Sequence, residues 1–277
     1  MSRWIVNGLR TGKRTTSFPL SAVPGEEQAS SAIHLRWEEL NAAQALEAGS
    51  LCPTGAITTT GTEGSGELTF DAGACILCNR CVRAFPDAFI PIDDPRVAVK
   101  KREQLRTTVN WKDGEGLTPS LRPDVVGMVQ DRALRIFRHS LHIRHIDVGS
   151  CNGCESELQM LSSPYVDLQR LGFFFTPTPR HADLLLVTGV VTSNMEKVLM
   201  ATYAAMPGPK MVIAAGACTI SGGSFAGGPM TRGPLDELLT VDAYIPGCPP
   251  TPQAFLHGLL LALGRVAERH GVSLEED

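Results

Sequence analysis

The chain has 277 residues, is 43% apolar and 19% charged, and carries a net charge of −4. That length accommodates about two domains with a sizeable core. The composition argues against disorder, and the acidic balance offers nothing to a nucleic acid, so no nucleic-acid partner is expected. The opening residues, MSRWIVNGLRTGKRTTSFP, hold neither an apolar core of signal-peptide length nor an Arg-Arg pair. No apolar run reaches the roughly 18 residues of a membrane span. The expectation is a cytoplasmic chain, in which eight cysteines point to metal or redox chemistry rather than disulfides.

Residues 1–30 read as an extended segment suited to lying along a partner. Residues 31–99 follow the template of a two-cluster ferredoxin. Cys75, Cys78 and Cys81 stand in C-x2-C-x2-C spacing, which suits three thiolates of a [4Fe–4S] cubane. In two-cluster ferredoxins the run continues as C-x2-C-x2-C-x3-C-P, with the fourth cysteine serving the other cluster. Here that fourth position is Phe85, followed by Pro86. Upstream lies Cys52-Pro53, and counting back from it on the same template finds Ala42, Ala45 and Ala48 where ligands would stand. All the losses fall on one cluster. The retained one takes Cys52, Cys75, Cys78 and Cys81, and the alanines and Phe85 are expected to pack the space of the other. The alanines also suit a helix face. A zinc site is the alternative use of four cysteines, although zinc ribbons usually pair C-x2-C with a second C-x2-C or with histidines.

Residues 100–140 are polar and contain WKDGEGLTPSLRPD, which reads as a linker or docking segment. The stretch RALRIFRHSLHIRH follows, carrying Arg132, Arg135, Arg138, His139, His142, Arg144 and His145. Beyond it the expected elements alternate: a strand at 145–148, a helix from Glu155, and strands at 172–176 and 182–188. A helix over 193–205 capped by Ser193 or Asn194 comes next, then strands at 210–215 and 243–246 and a helix over 252–269. Near-continuous apolar strands alternating with helices predict a parallel sheet covered on both faces. Ligands bind beyond the carboxyl ends of such strands. The remaining cysteines, Cys151, Cys154, Cys218 and Cys248, all follow expected strands closely, so they converge on one edge. Nearby glycines (Gly149, Gly153, Gly216, Gly222, Gly223 and Gly247) would let backbone approach a bulky group there. Buried structural cysteines are the plainer reading. A group held by four thiolates is anionic, so His142, Arg144 or His145 could tune its potential or relay protons. A basic docking face explains them equally well. The methionines of 195–206 have the spacing of core residues.

The segments HIRHIDVGSCNGCESEL, GACTISGG and PGCPPTP, within Ser140 to Leu263, resemble the small, cluster-bearing subunit of membrane-bound energy-converting [NiFe] hydrogenases. They are also similar to the homologous B-type, 20 kDa subunit of complex I. Trp4 to Pro19 and the one-cluster unit resemble the ferredoxin-type subunit of formate hydrogenlyase-like complexes, here fused in one chain. The resemblance implies a flavodoxin-like domain over 141–277 whose Cys151, Cys154, Cys218 and Cys248 hold a second [4Fe–4S] cluster. It implies a nickel-bearing large catalytic subunit, membrane antiporter-like subunits and an upstream electron donor as partners. The chain would then sit peripherally on the cytoplasmic side of the inner membrane. Glu157 matches a glutamate of both related subunits, which suggests a part in proton movement near the cluster; a carboxylate on a helix surface is the alternative reading. The complex I subunit has adjacent cysteines at its first pair, so Cys151-Asn-Gly-Cys154 is the hydrogenase-like spacing. All eight cysteines are assigned, so no catalytic residue is expected on this chain. No flavin is expected either, because cysteines take the sheet edge where one would bind. The alternatives are a complex I-like quinone oxidoreductase subunit without nickel, and a non-redox, zinc-stabilised assembly scaffold.

Overall fold

A computed structural model describes residues 3–12, 15–16, 31–112, 116–119 and 140–266. The N-terminal segment is helical over Arg3–Thr11 (α1) rather than extended.

The next elements run in the order β-α-β-β-α-β: Ala32–Leu35 (β1), Ala42–Leu51 (α2), Ile57–Gly61 (β2), Ser65–Asp71 (β3), Arg80–Ala84 (α3) and Phe89–Ile92 (β4). β1 pairs antiparallel with β4, and β2 with β3. Asn41 and Gln44 start α2 with reciprocal bonds, Gln44 N–H to Asn41 Oδ1 at 2.9 Å and Asn41 N–H to Gln44 Oε1 at 3.0 Å. The helix stops at Cys52, whose extended backbone suits the residue before Pro53. Ala45 and Ala48 are fully buried, with Ala42 and Phe85 packed against the same core. Phe89 completes that core, its ring 6.3 Å from Phe70 and 6.5 Å from Phe85.

The stretch read as a linker is partly sheet. Arg106–Lys112 (β5) pairs antiparallel with β3 along seven residues, and Thr118–Pro119 (β6) adds to its other edge. Val109 and Trp111 point inward while Thr108 and Asn110 do not, the alternation of a half-buried strand.

The second half builds five parallel strands: Leu141–Asp147 (β7), Phe173–Phe175 (β8), Leu184–Thr188 (β9), Met211–Ala215 (β10) and Ala243–Ile245 (β11). Their spatial order is β8-β7-β9-β10-β11, the 2-1-3-4-5 order of flavodoxin-like sheets, with the switch point between β7 and β9. Helices Gly153–Met160 (α4), Ser193–Ala205 (α5), Ala217–Ser221 (α6) and Pro252–Ala262 (α7) connect or flank the strands. β7 starts four residues earlier than expected because Leu141 and Ile143 are buried alternately with exposed His142. Thr192, not Ser193 or Asn194, caps α5. α7 ends at Ala262, short of Arg269, which lies outside the described residues.

The two halves pack together. Val99 bridges Tyr244 of β11, and Ala32, Val97 and Ala98 join the core around α7.

Candidate metal centres

Cys52 follows α2, Cys75 and Cys78 lie in the loop after β3, and Cys81 sits in α3. All four cysteines line one open-mouthed recess walled by Ile33, Ile57, Phe70 and Ile76, with Arg80 at its side. The loop coils because Leu77 and Asn79, at φ 56° and 58°, adopt left-handed backbone between the cysteines. Leu77 N–H points at Cys75 Sγ, 3.5 Å away. Thr54 stands beside Cys52 and donates its hydroxyl to Ala74 O at 2.9 Å, tying the two cysteine segments together. Burial pushes the Cys75 thiol up to about 12 and the Cys81 thiol up to about 11, and the neighbouring thiols add to it.

The second set forms at the carboxyl edge of the parallel sheet. β7 exits through Gly149, where Asp147 Oδ1 accepts the N–H groups of Gly149 and Ser150, both at 2.8 Å. Cys151 follows, and Cys154 lies in the first turn of α4. Cys218 lies in α6 directly after β10, and Cys248 follows β11. Glycines knit the segments together. A Cβ on Gly216 (φ +89°) would stand 2.9 Å from Cys154 Sγ. One on Gly153 would meet Cys151 Sγ at 3.5 Å and Pro249, beside Cys248, at 3.8 Å, and one on Gly223 would meet Cys218 Sγ at 3.2 Å. Burial raises the Cys154 thiol above the usual range, takes Cys218 to about 11 and lifts Cys248 as well. Among the described residues, no three His, Cys, Asp or Glu side chains converge closely enough to hold a single metal ion.

The residues proposed as tuners separate. His145 faces α4: its Nε2 is 2.8 Å from Thr188 Oγ1, and that hydroxyl donates to Glu155 Oε1. If Thr188 gives its proton to the carboxylate, it takes the Nε2–H of His145. Glu155, next to Cys154, is a functional candidate that the sequence does not single out; its Oε2 is buried without a hydrogen-bond partner among the described residues. Burial holds the His145 imidazole below its ordinary value, against the pull of Glu155 and Asp147. Glu157 is half-buried in α4, and burial raises its carboxyl. Arg144 projects to the face opposite His145, with Nε buried and unpartnered among the described residues. His142 is not brought to the thiols. It stands toward the amino end of β7, five residues or about 16 Å of strand from Asp147. Its ring stacks on Phe174 at 5.7 Å, and its Nδ1 lies 3.5 Å from Asp183. Arg132, Arg135, Arg138 and His139 lie outside the described residues. No helix among the described residues is long and apolar enough to cross a membrane.

Residues 151–262 match the family described as NADH ubiquinone oxidoreductase, 20 Kd subunit. The chain is 46% identical over 124 residues to the probable membrane-bound hydrogenase subunit mbhJ of Pyrococcus furiosus, covering 45% of this chain and 74% of that protein. It is 38% identical over 159 residues to formate hydrogenlyase subunit 7 of Escherichia coli, covering 57% of this chain and 62% of the relative. It is 44% identical over 114 residues to an NADH-quinone oxidoreductase subunit of Citrifermentans bemidjiense, 41% of this chain and 66% of that one. With its four cysteines set at the carboxyl edge of a five-stranded parallel sheet, the chain belongs to the 20 kDa subunit family of NADH ubiquinone oxidoreductase, whose members are oxidoreductase subunits of hydrogenase and NADH-quinone oxidoreductase complexes.

Proposed function

We propose that the chain is the electron-transfer subunit of a membrane-associated, energy-converting [NiFe] hydrogenase of the formate hydrogenlyase kind. It would carry electrons between an upstream donor and a nickel-bearing large subunit, with antiporter-like membrane subunits in the same complex. The observation that carries this reading is the pair of four-thiol sets, one lining a recess and one gathered at a sheet edge by glycines. A mononuclear Zn–S4 site would draw its sulfurs to about 3.8 Å from one another, given Zn–S bonds of about 2.3 Å. A cubane takes one thiolate per iron, so its ligands stand around a cavity. The residues present fit two such clusters, one on Cys52, Cys75, Cys78 and Cys81 and one on Cys151, Cys154, Cys218 and Cys248. The β-α-β-β-α-β order of residues 31–99, with β1 paired to β4, supports a ferredoxin-like unit whose other pocket is filled by Ala45, Ala48 and Phe85.

Each cluster, when bound, would accept and release one electron at a time. The chain's residues do the rest. Burial pushes the Cys75, Cys81, Cys154, Cys218 and Cys248 thiols up, and a thiol that binds iron gives up its proton, which couples cluster loading to folding. Leu77 N–H, aimed at Cys75 Sγ, would stabilise negative charge on that sulfur. Ile33, Ile57 and Phe70 give the recess apolar walls. Glu155, fixed through Thr188 and His145, places a carboxylate beside Cys154.

A complex I-like role without nickel is the second reading, favoured by the similarity to a subunit of an NADH-quinone oxidoreductase. Purifying the intact complex anaerobically through a tag on this chain, then measuring nickel and hydrogen evolution from a reduced viologen, separates the two. Nickel with hydrogen evolution is expected. An iron-rich complex with neither leaves the quinone-type reading.

A further inference from the structure

The thiol sets belong to different halves of the chain, yet their supporting segments touch. Cys75 ends the turn Asp71-Ala72-Gly73-Ala74, and Cys218 sits in α6 two residues before Ile220. A Cβ on Gly73 would stand 2.8 Å from Ile220 Cγ2, 2.9 Å from Arg102 Nη1 and 3.0 Å from Leu105 Cδ1. Only a residue without a side chain lets the turn lie this close to α6. Gly73 and Ile220 are each two residues, at most about 7 Å of chain, from a cysteine.

The segment from Val97 to Leu105 is anchored at both ends of this contact. Arg102 is 9% exposed and grips Asp71 with two bonds, Nη1 to Oδ1 at 2.7 Å and Nη2 to Oδ2 at 2.5 Å. Such a two-bonded pair fixes orientation as well as contact. Asp71 Oδ1 also accepts Gly73 N–H at 2.8 Å, and Ala72 N–H donates to Leu105 O at 2.8 Å. Toward the other half, Val99 makes both bonds of its bridge with Tyr244: Val99 N–H to Tyr244 O at 3.0 Å, and Tyr244 N–H to Val99 O at 2.7 Å. Tyr244 lies four residues before Cys248. Ala98 N–H donates to Nδ1 of His257, which is buried in α7, at 3.2 Å. One segment thus holds the Cys75 turn and the strand leading to Cys248.

We infer that Val97–Leu105 is a clasp whose Asp71–Arg102 pair and Gly73–Ile220 contact set the spacing between the two thiol sets, and so the coupling between their clusters. This rests on the two-cluster reading above. Asp71, Gly73 and Arg102 are positioning residues, since none is a thiol ligand.

The test uses the full chain, separated anaerobically from its complex and reduced with dithionite, with iron analysis followed by electron paramagnetic resonance. Asp71→Asn keeps the acceptor for Gly73 N–H and removes the charge that holds Arg102. Gly73→Ala keeps both charges of the ion pair and wedges the turn off Ile220 and Arg102 Nη1. Wild type should hold about eight irons on this chain, four per cubane, and give a spectrum split by the interaction of the two reduced clusters. Each variant should keep the iron and lose the splitting. A mere stability role would lower the melting temperature and leave the splitting in place, which would overturn the inference. Wild type with eight irons and no splitting overturns it as well. If Asp71→Asn loses iron, Gly73→Ala decides. Four irons or fewer in wild type sinks the two-cluster reading itself, and the iron count shows this before any spectrum.

Discussion

Gly216 leaves β10 at φ +89° and ψ 150°, essentially a glycine-only region where a side chain costs about 1–3 kcal/mol of backbone strain, and an added Cβ would meet Cys154 Sγ at 2.9 Å. Gly216→Ala should therefore displace Cys154 and spare Cys52, Cys75, Cys78 and Cys81, which belong to the other half of the chain. The expected result is about half the wild-type iron and acid-labile sulfide in an anaerobic preparation; full iron would show that Gly216 does not support the second site. His145 gives a pH dependence. Burial holds its folded-state pKa below the ordinary value of about 6.5. Between the two values the unfolded chain binds the extra proton, so stability rises with pH across that window. It is complete above about pH 6.5 and falls as the pH drops below. His145→Gln should shrink the loss of melting temperature between pH 7.5 and 5; parallel losses in variant and wild type would contradict it. The grouping of the eight cysteines into two sets of four is legible from the sequence, because their spacing and their places after strands bring each set together. Glu155 is not, because its partner Thr188 lies 33 residues away and meets it only when β9 and α4 are in place.

α2 shows what an element can and cannot reveal before folding. Its start is written in Asn41 and Gln44, its end in Cys52-Pro53, and its inward face in Ala45 and Ala48. Both alanines are fully buried among Phe70, Phe85, Phe89 and Leu68. Small side chains at such positions leave no room for larger ones, and overpacking costs typically about 1–3 kcal/mol. Ala45→Leu should lower the melting temperature by several degrees, at about 2–4 °C per kcal/mol for a chain of this size. Ala43→Leu, on the exposed face of the same helix, should leave it within about a degree. Equal melting temperatures for the two variants would show that the alanine face is not tightly packed. β5 is hidden for the opposite reason. RTTVNWK has only two apolar inward residues, and its order comes from seven pairings with β3, more than thirty residues upstream. The buried strands β9 and β10 read directly, since all five residues in each are apolar or buried.

At the scale of the molecule, the sequence shows two cysteine-bearing halves but not that they share a core. Val97, Ala98 and Val99 look like any short apolar run, and their role appears only against α7 and β11. Every residue of α7 from Gln253 to Ala262 is buried, although one side of a surface helix normally faces water. Ala32, Val97 and Ala98 belong to the same core, and a Cβ on Gly258 would meet Ala98 Cβ at 3.4 Å. Taking away residues 1–112 would uncover that side of α7, strip His257 Nδ1 of the Ala98 N–H and free the outer edge of β11 where Val99 pairs. A fragment of residues 140–277 is thus expected to bind a dye for exposed apolar surface, to melt well below the full chain and to self-associate through the unpaired edge. The full chain, by contrast, should melt in one transition, because the elements that close the second core belong to the first half. Calorimetry on both, with dye binding measured in parallel, reads this directly. A fragment that melts with the full chain and binds no dye, or a full chain with two separate transitions, would mean that the halves are independent and that their contact is incidental to the fold.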